Sequence, residues 1–151
     1  MIGPSFLARE SSLVAEIAWN RVLSKDDPDH TLDEGRSRDA TALQFIFTPS
    51  YRQLLPGVDL GVPIGLRYVV DGNSSVTGAG WGAKGTGSAT LGIEGSYLGV
   101  WQFALNYTHY IGKAVPFVDY APLLTGGHAI FGLGNQLADR NYLALSLRRT
   151  F

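Results

Sequence analysis

The sequence predicts an all-β fold: an antiparallel up-and-down transmembrane β-barrel, of which residues 1–151 supply a C-terminal segment of about six strands. Three observations carry the expectation. The chain ends in a period-two strand, with Leu143, Leu145 and Leu147 on one side and Ala144, Ser146, Arg148 and Thr150 on the other, closing on the aromatic Phe151. The connections between alternating segments run long, short, long, short, long. Aromatic residues gather near strand ends.

Composition narrows the alternatives. Apolar residues make up 45% of the chain and charged residues 17%, low against the roughly 25% charged of a typical soluble domain. A net charge of -1 argues against a nucleic-acid binder, whose affinity comes from neutralising phosphates. The absence of cysteine excludes disulfides and thiolate metal sites. No apolar run reaches the roughly 18 residues of a membrane-crossing helix. Residues 1–10 (MIGPSFLARE) lack the basic start and long apolar stretch of a signal peptide. Because a barrel must be exported, the chain is expected either to be the C-terminal portion of a longer precursor or to be soluble.

Six segments alternate in the manner of strands. In the first, Leu13, Ala15, Ile17 and Trp19 share a side opposite Glu16 and Asn20; residues 11–22 also fit an amphipathic helix, with Leu13, Ile17 and Arg21 spaced by four. In the second, Leu43, Phe45 and Phe47 oppose Ala42, Gln44 and Thr48. The third sets Val58, Leu60, Val62, Ile64, Leu66, Tyr68 and Val70 against Asp59, Gly61, Pro63, Gly65 and Arg67. Pro63 has no N–H for a ladder, so it marks a bulge or a weakened pair. The fourth opposes Leu91, Ile93 and Tyr97 to Thr90, Gly92, Glu94 and Ser96. The fifth opposes Trp101, Phe103, Leu105 and Tyr107 to Gln102, Ala104, Asn106 and Thr108. The terminal strand is the sixth. A soluble sandwich alternates in the same way, so periodicity alone does not choose between the two.

The connections do choose. Residues 23–38, 71–88 and 112–139 are long and polar or glycine-rich, whereas residues 50–57 and the turn at Leu98 and Gly99 are short. Transmembrane barrels have short periplasmic turns and longer extracellular loops; counted back from Phe151 in the periplasm, every long loop falls outside. Tyr51, Tyr97 and Trp101 then lie toward the periplasmic end and Trp19, Tyr68 and Tyr107 toward the other. These six are candidates for the two aromatic girdles of a barrel.

The runs LARESSLVAEIAWNR, RDATALQFIFTPSYRQLLPGVDLGVPIGL, LGVWQFALNYTHYIG and DRNYLALSLRRTF resemble the C-terminal region of the domain of unknown function 1302 family. The resemblance implies an outer-membrane barrel of a Gram-negative bacterium, in a family whose members are several times longer than this chain. It implies no known activity. Six strands are fewer than the roughly eight of the smallest common closed barrels, and an open sheet in lipid leaves costly unpaired backbone groups at both edges. A segment of a barrel wall is therefore expected, not a pore complete in itself.

Chemistry-bearing residues are sparse. None of His30, His109 and His128 stands at metal-ligand spacing from another ligand on one element. The acidic loop around His30 (Asp26, Asp27, Asp29, Asp33, Glu34) misses the calcium-loop pattern, and a solvated loop bridged by cations to lipopolysaccharide is the expectation there. Period two places His109 with Tyr107 and away from Ser96, so no nucleophile and base meet and no enzyme, cofactor or metal is expected. The glycine-rich residues 72–87 lack the GK[ST] ending of a phosphate loop and read as a flexible surface loop.

What remains is a set of inward-facing polar residues, Glu16, Asn20, Gln44, Asp59, Arg67, Glu94, Gln102, Asn106 and Arg148, as candidates to line a lumen. A matched turn at Leu98 and Gly99 pairs Ser96 with Gln102 and Glu94 with Ala104, and brings Arg148 toward Glu94. The expected partners are outer-membrane lipid and lipopolysaccharide, a small solute that is hydrophobic or otherwise, and the barrel-assembly machinery, which would recognise Leu143, Leu145, Leu147 and Phe151. Arg149 stands where an apolar residue is common in that signal. A surface barrel with structural or adhesive loops and a soluble sandwich or lipocalin-like carrier are the alternatives.

Overall fold

In the computed structural model, which describes residues 8, 10–24, 26, 32 and 35–151, the chain is an antiparallel sheet with loops folded over one end. The strands are β1 (Glu10–Arg21), β2 (Asp39–Leu55), β3 (Val58–Gly61), β4 (Ile64–Asp71), β5 (Gly87–Tyr97), β6 (Trp101–Ile111), β7 (Val118–Asp119), β8 (Ile130–Phe131) and β9 (Tyr142–Arg149). Strands β1, β2, β3 with β4, β5, β6 and β9 follow one another across the sheet in sequence order, each antiparallel to the last. That is the up-and-down connectivity expected. The alternative of a helix over residues 11–22 is not realised: β1 pairs with β2 along its whole length, from Glu10 opposite Ser50 to Arg21 opposite Asp39.

Strands β3 and β4 are one crossing of the sheet broken at Val62 and Pro63. Proline lacks the N–H that β2 or β5 would accept, and the neighbouring groups repair the gap. Val62 N–H donates to Pro49 O at 3.0 Å, and Pro63 O accepts from Gly92 N–H at 2.8 Å.

The short connections are tight turns. Leu98 and Gly99 both have positive φ, at 54° and 69°, and Val100 N–H closes the turn on Tyr97 O at 3.1 Å, as in the type I′ turns that suit the twist of a hairpin. The other turn is shorter than its sequence suggests. β2 continues past Ser50 to Leu55, through an irregularity between Tyr51 and Leu55 where Gln53 has φ 49°. Only Pro56 and Gly57 turn the chain, with Gly57 at φ 78° as a proline–glycine type II turn requires. Asp59 Oδ1 accepts from Gln53 N–H at 2.8 Å and holds the irregular stretch.

The three long connections meet at the opposite end. Ser37 bridges Ser74, the Leu133 side chain lies on Gly35, and the Arg36 guanidinium lies 5.8 Å from the Phe131 ring centre. Residues 112–141 carry a small hairpin, β7 with β8, and a 3-10 turn, Ala121–Thr125. Residues 72–86 do not behave as the free surface loop expected: they fold onto the sheet around the 3-10 turn Gly78–Gly80.

Gly95 illustrates how closely the sheet is fitted. The Phe103 ring on the neighbouring strand lies over it, and a Cβ there would stand 2.5 Å from Phe103 Cζ and 2.8 Å from Asp59 O, an aromatic shielding a strand glycine. Gly95→Val should therefore lower stability by about 1–3 kcal/mol, read as an earlier urea midpoint in the fluorescence of the tryptophans; an unchanged midpoint contradicts this packing.

Candidate functional site: a polar face under a docked loop

The register sorts the side chains into two faces across the sheet, from the pairs Ala42–Val69 to Phe47–Ile64 on β2 and β4 and along the other ladders. At the loop end of β4 it shifts by one residue, where Val70 is bulged out before Asp71 meets Thr41. Directly opposed residues share a face, so the pairs Leu13–Phe47, Phe47–Ile64, Ile64–Leu91, Leu91–Tyr107 and Tyr107–Leu143 trace one apolar row from β1 to β9. A second row runs Leu60, Gly95, Phe103, Leu147. Much of this face is exposed: Ile17 is 80% accessible, Leu145 77% and Leu147 68%.

The other face carries all nine polar candidates. Glu16, Gln44, Arg67 and Ser88 form one row; Asp59, Ser96, Gln102 and Arg148 form another. Glu94 lies between Gly61 and Ala104, Asn106 between Gly92 and Ala144, and Asn20 opposite Ala40. The glycines make room for longer neighbours: the Glu94 side chain covers Gly61, and the Asn106 amide covers Gly92. Ser96 pairs with Gln102 and Glu94 with Ala104, as expected from the turn. Arg148 faces Gln102, two pairs along from Ala104 and Ser146. It therefore reaches Glu94 only diagonally, and no ion pair joins the two among the described residues.

Near the short turns the polar face holds a depression of about 740 Å³ lined by Glu10, Arg52, Asp59, Glu94, Gln102 and Arg148, among others. Arg52 donates to Glu10 at 2.8 Å, both well exposed, so water screens the pair and its contribution to stability is small. Neither stands among the polar residues that the sequence singles out, because Arg52 falls in residues 50–57, which read as a turn, and Glu10 precedes the first alternating segment. Deeper along the face, Gln44 Nε2 donates to Glu16 Oε2 at 2.7 Å, and Arg67 Nη2 donates to Gly80 O at 3.1 Å and Trp81 O at 3.4 Å.

Those carbonyls belong to residues 72–86, which lie on the polar face. Ser74, fully buried, donates to Asn20 Oδ1 at 2.9 Å and accepts from Val76 and Thr77 N–H at 3.1 Å each. Asn73 N–H donates to Ser37 Oγ at 2.7 Å, and Asn73 Oδ1 accepts from Lys84 N–H at 2.8 Å. The Lys84 ammonium stands 2.6 Å from Asp71, and that hydrogen bond, helped by the opposite charge, raises the Lys84 pKa above its ordinary value. Residues 112–141 are tied down by Asn135, whose side-chain amide donates to Gly87 O and Ile111 O at 2.9 Å each and so closes the open end of the β5–β6 ladder.

On the apolar face, Tyr97 and Trp101 pair across the I′ turn and Tyr51 pairs with Leu60, all toward the short turns. Trp19 and Tyr68 lie toward the loops; Tyr107 is nearer mid-strand, between Leu91 and Leu143. Leu143, Leu145 and Leu147 stand on this face of β9, and Phe151 is fully exposed just beyond it. Arg149, out of pattern in the sequence, is accommodated by aromatic rings. Its guanidinium lies 5.2 Å from the Trp101 ring centre and 4.7 Å from that of Phe151, within the range of cation–π attraction.

His109 is on the apolar face opposite Ala89, remote from Ser96 on the polar face. His30 and the acidic residues Asp27, Asp29, Asp33 and Glu34 lie outside the described residues. Among the described residues no group of three or more His, Asp or Glu is placed to hold a metal.

The sequence model of one family, described as Protein of unknown function (DUF1302), matches residues 2–151. No curated protein and no solved structure matches the chain. Asn135→Ala removes both ladder-closing bonds and should cost about 1–3 kcal/mol by leaving two carbonyls unpaired. Limited proteolysis should then cut within residues 112–141 faster than in the unaltered protein; equal rates would show that the amide does not hold this loop.

Proposed function

This chain belongs to the DUF1302 family of proteins of unknown function, and we propose that it builds part of the wall of a β-barrel in the outer membrane of a Gram-negative bacterium. The observation that carries the proposal is the division of the sheet into an exposed apolar face running from β1 to β9 and a polar face behind it. A contiguous apolar surface of this kind must be covered, and lipid covers it without asking for shape. In lipid every backbone N–H and C=O must be paired, so the outer edges of β1 and β9 require strand neighbours and the sheet closes on itself. Long loops at one end and turns of two and three residues at the other agree with barrel anatomy.

In the closed barrel the polar face bounds the lumen, and the protein passes or binds small solutes, hydrophobic ones included, with no catalytic step. Lipid and lipopolysaccharide surround the strands. The barrel-assembly machinery takes the last strand through Leu143, Leu145, Leu147 and Phe151. A second reading, a surface barrel whose loops do the work, is favoured by the apolar tip of residues 112–141, where Leu124 is 90% exposed beside Leu123 and Tyr120.

Two measurements test the proposal. Leu145→Arg places a charge in the middle of the lipid-facing row and should cost about 2–4 kcal/mol, whereas Ser146→Arg, on the lumen side, should be tolerated. Fractionation of cells expressing each variant should find Ser146→Arg in the outer membrane and Leu145→Arg depleted from it; the reverse order contradicts the assignment of faces. Glu94→Gln removes an unpaired carboxylate from the lumen and should lower the cation-over-anion permeability ratio by roughly twofold; a conducting barrel with an unchanged ratio places Glu94 off the ion path.

A further inference from the structure

Residues 72–86 leave the rim of the sheet and run inward. Gly72, at φ +76°, passes so close to β2 that a Cβ there would stand 2.0 Å from Asp39 O. Ser74 has by then crossed β2 and is bonded to Asn20 on the polar face of β1. After the turn Gly78–Gly80 the chain comes back along the same face, where Arg67 of β4 grips two successive carbonyls, Gly80 O and Trp81 O. Trp81 then lines a cavity of about 170 Å³ with Glu16 and Ala18 of β1, Ala42 and Gln44 of β2, and Arg67 of β4. The alanines at 18 and 42 leave space over the strands beside an indole. Beneath the loop lie the most deeply buried apolar side chains of the described residues, Ala40 at 1% and Val69 at 2% exposure, and both belong to the polar face. A loop that served only the outer surface would have no need to bury side chains on the face opposite the apolar one.

We propose that residues 72–86 are a fixed constriction inside the barrel, in which Trp81 sets the width of the passage and Arg67 is the positioning residue that holds it there. The inference rests on the barrel reading above and adds to it the place where solutes are sorted by size. Hydrogen bonds at Ser74, Asn73 and Arg67 anchor the loop at both limbs, so it narrows the lumen without needing to move.

The test uses the protein purified from its native membrane, in planar bilayers, as unaltered protein, Trp81→Ala and, independently, Arg67→Gln, each first checked for folding by its heat-dependent mobility in detergent gels. Trp81→Ala should raise single-channel conductance on the order of twofold and admit larger neutral sugars. Arg67→Gln should raise conductance and also make it fluctuate, as the loop loses its anchor. A change from closed to conducting in either variant supports the constriction in its strictest form, a plug. Equal conductance and equal sugar cut-off in all three proteins overturns the constriction while leaving the barrel and its passage intact. Absence of conductance in all three overturns both the constriction and the passage of solutes. Should one variant fail to fold, the other decides.

Discussion

The cross-strand hydrogen-bond ladder that runs from β1 across the sheet to β9 governs every other feature of this protein, because side chains in a strand alternate and a slip of one residue would move an entire row to the opposite face. The ladder confines its one-residue shift to the loop end of β4, where Val70 is bulged out between the pairs Ala42–Val69 and Thr41–Asp71, and absorbs its other irregularities with the faces kept. At Pro63 the strand breaks and resumes with Ile64 still on the side of Leu60. Between Tyr51 and Leu55 the register shifts, but this lies at the end of the strand, beyond the stretch where β2 pairs with β1 and β4. At the I′ turn, Tyr97 stands directly opposite Trp101. Leucine is an unfavourable residue for the left-handed conformation it adopts at position 98, and its contact with Gly57 and the bond from Leu98 N–H to Gly57 O at 2.8 Å hold it there.

The two faces obey different rules. Apolar side chains on the apolar face are satisfied by any hydrocarbon, so that face needs only to be continuous. Polar groups on the other face need specific partners, and they find them unevenly. Near the short turns the charged side chains are exposed and loosely paired, as between Arg52 and Glu10. Near the loops the chain itself supplies the partners: backbone carbonyls for Arg67, a serine hydroxyl for Asn20, an asparagine amide for the carbonyls at Gly87 and Ile111. The polar face is thus open at one end and occupied at the other.

How far the sequence discloses this depends on the range of the interaction. Strand identity and face follow from neighbours two residues apart, and Glu16, Gln44 and Arg67 fall into one row as periodicity alone requires. Turn chemistry is nearly as local, although the extension of β2 to Leu55 is hidden by Pro49 and by the positive φ of Gln53, neither of which looks like strand. The docked loop could not be read. Its glycines and serines have no period, and its anchor joins Ser74 to Asn20 across 54 positions. Arg149 is a halfway case: it breaks the terminal pattern in the sequence, and its fit becomes visible only when β6 brings Trp101 opposite it.

That long bond between Ser74 and Asn20 also imposes an order of events. Hairpin β5–β6 needs only nearby residues, and loop closure over short separations is fast and costs little entropy. Residues 72–86 have no surface to settle on until β4 has zipped to β2 and β2 to β1, since their contacts are spread over all three strands. Before that moment the Arg67 guanidinium and the Asn20 Oδ1 face water; afterwards both are committed to the loop. Docking of this loop is accordingly the last local step in building this part of the sheet, and its hydrogen bonds register that three strands have taken their places.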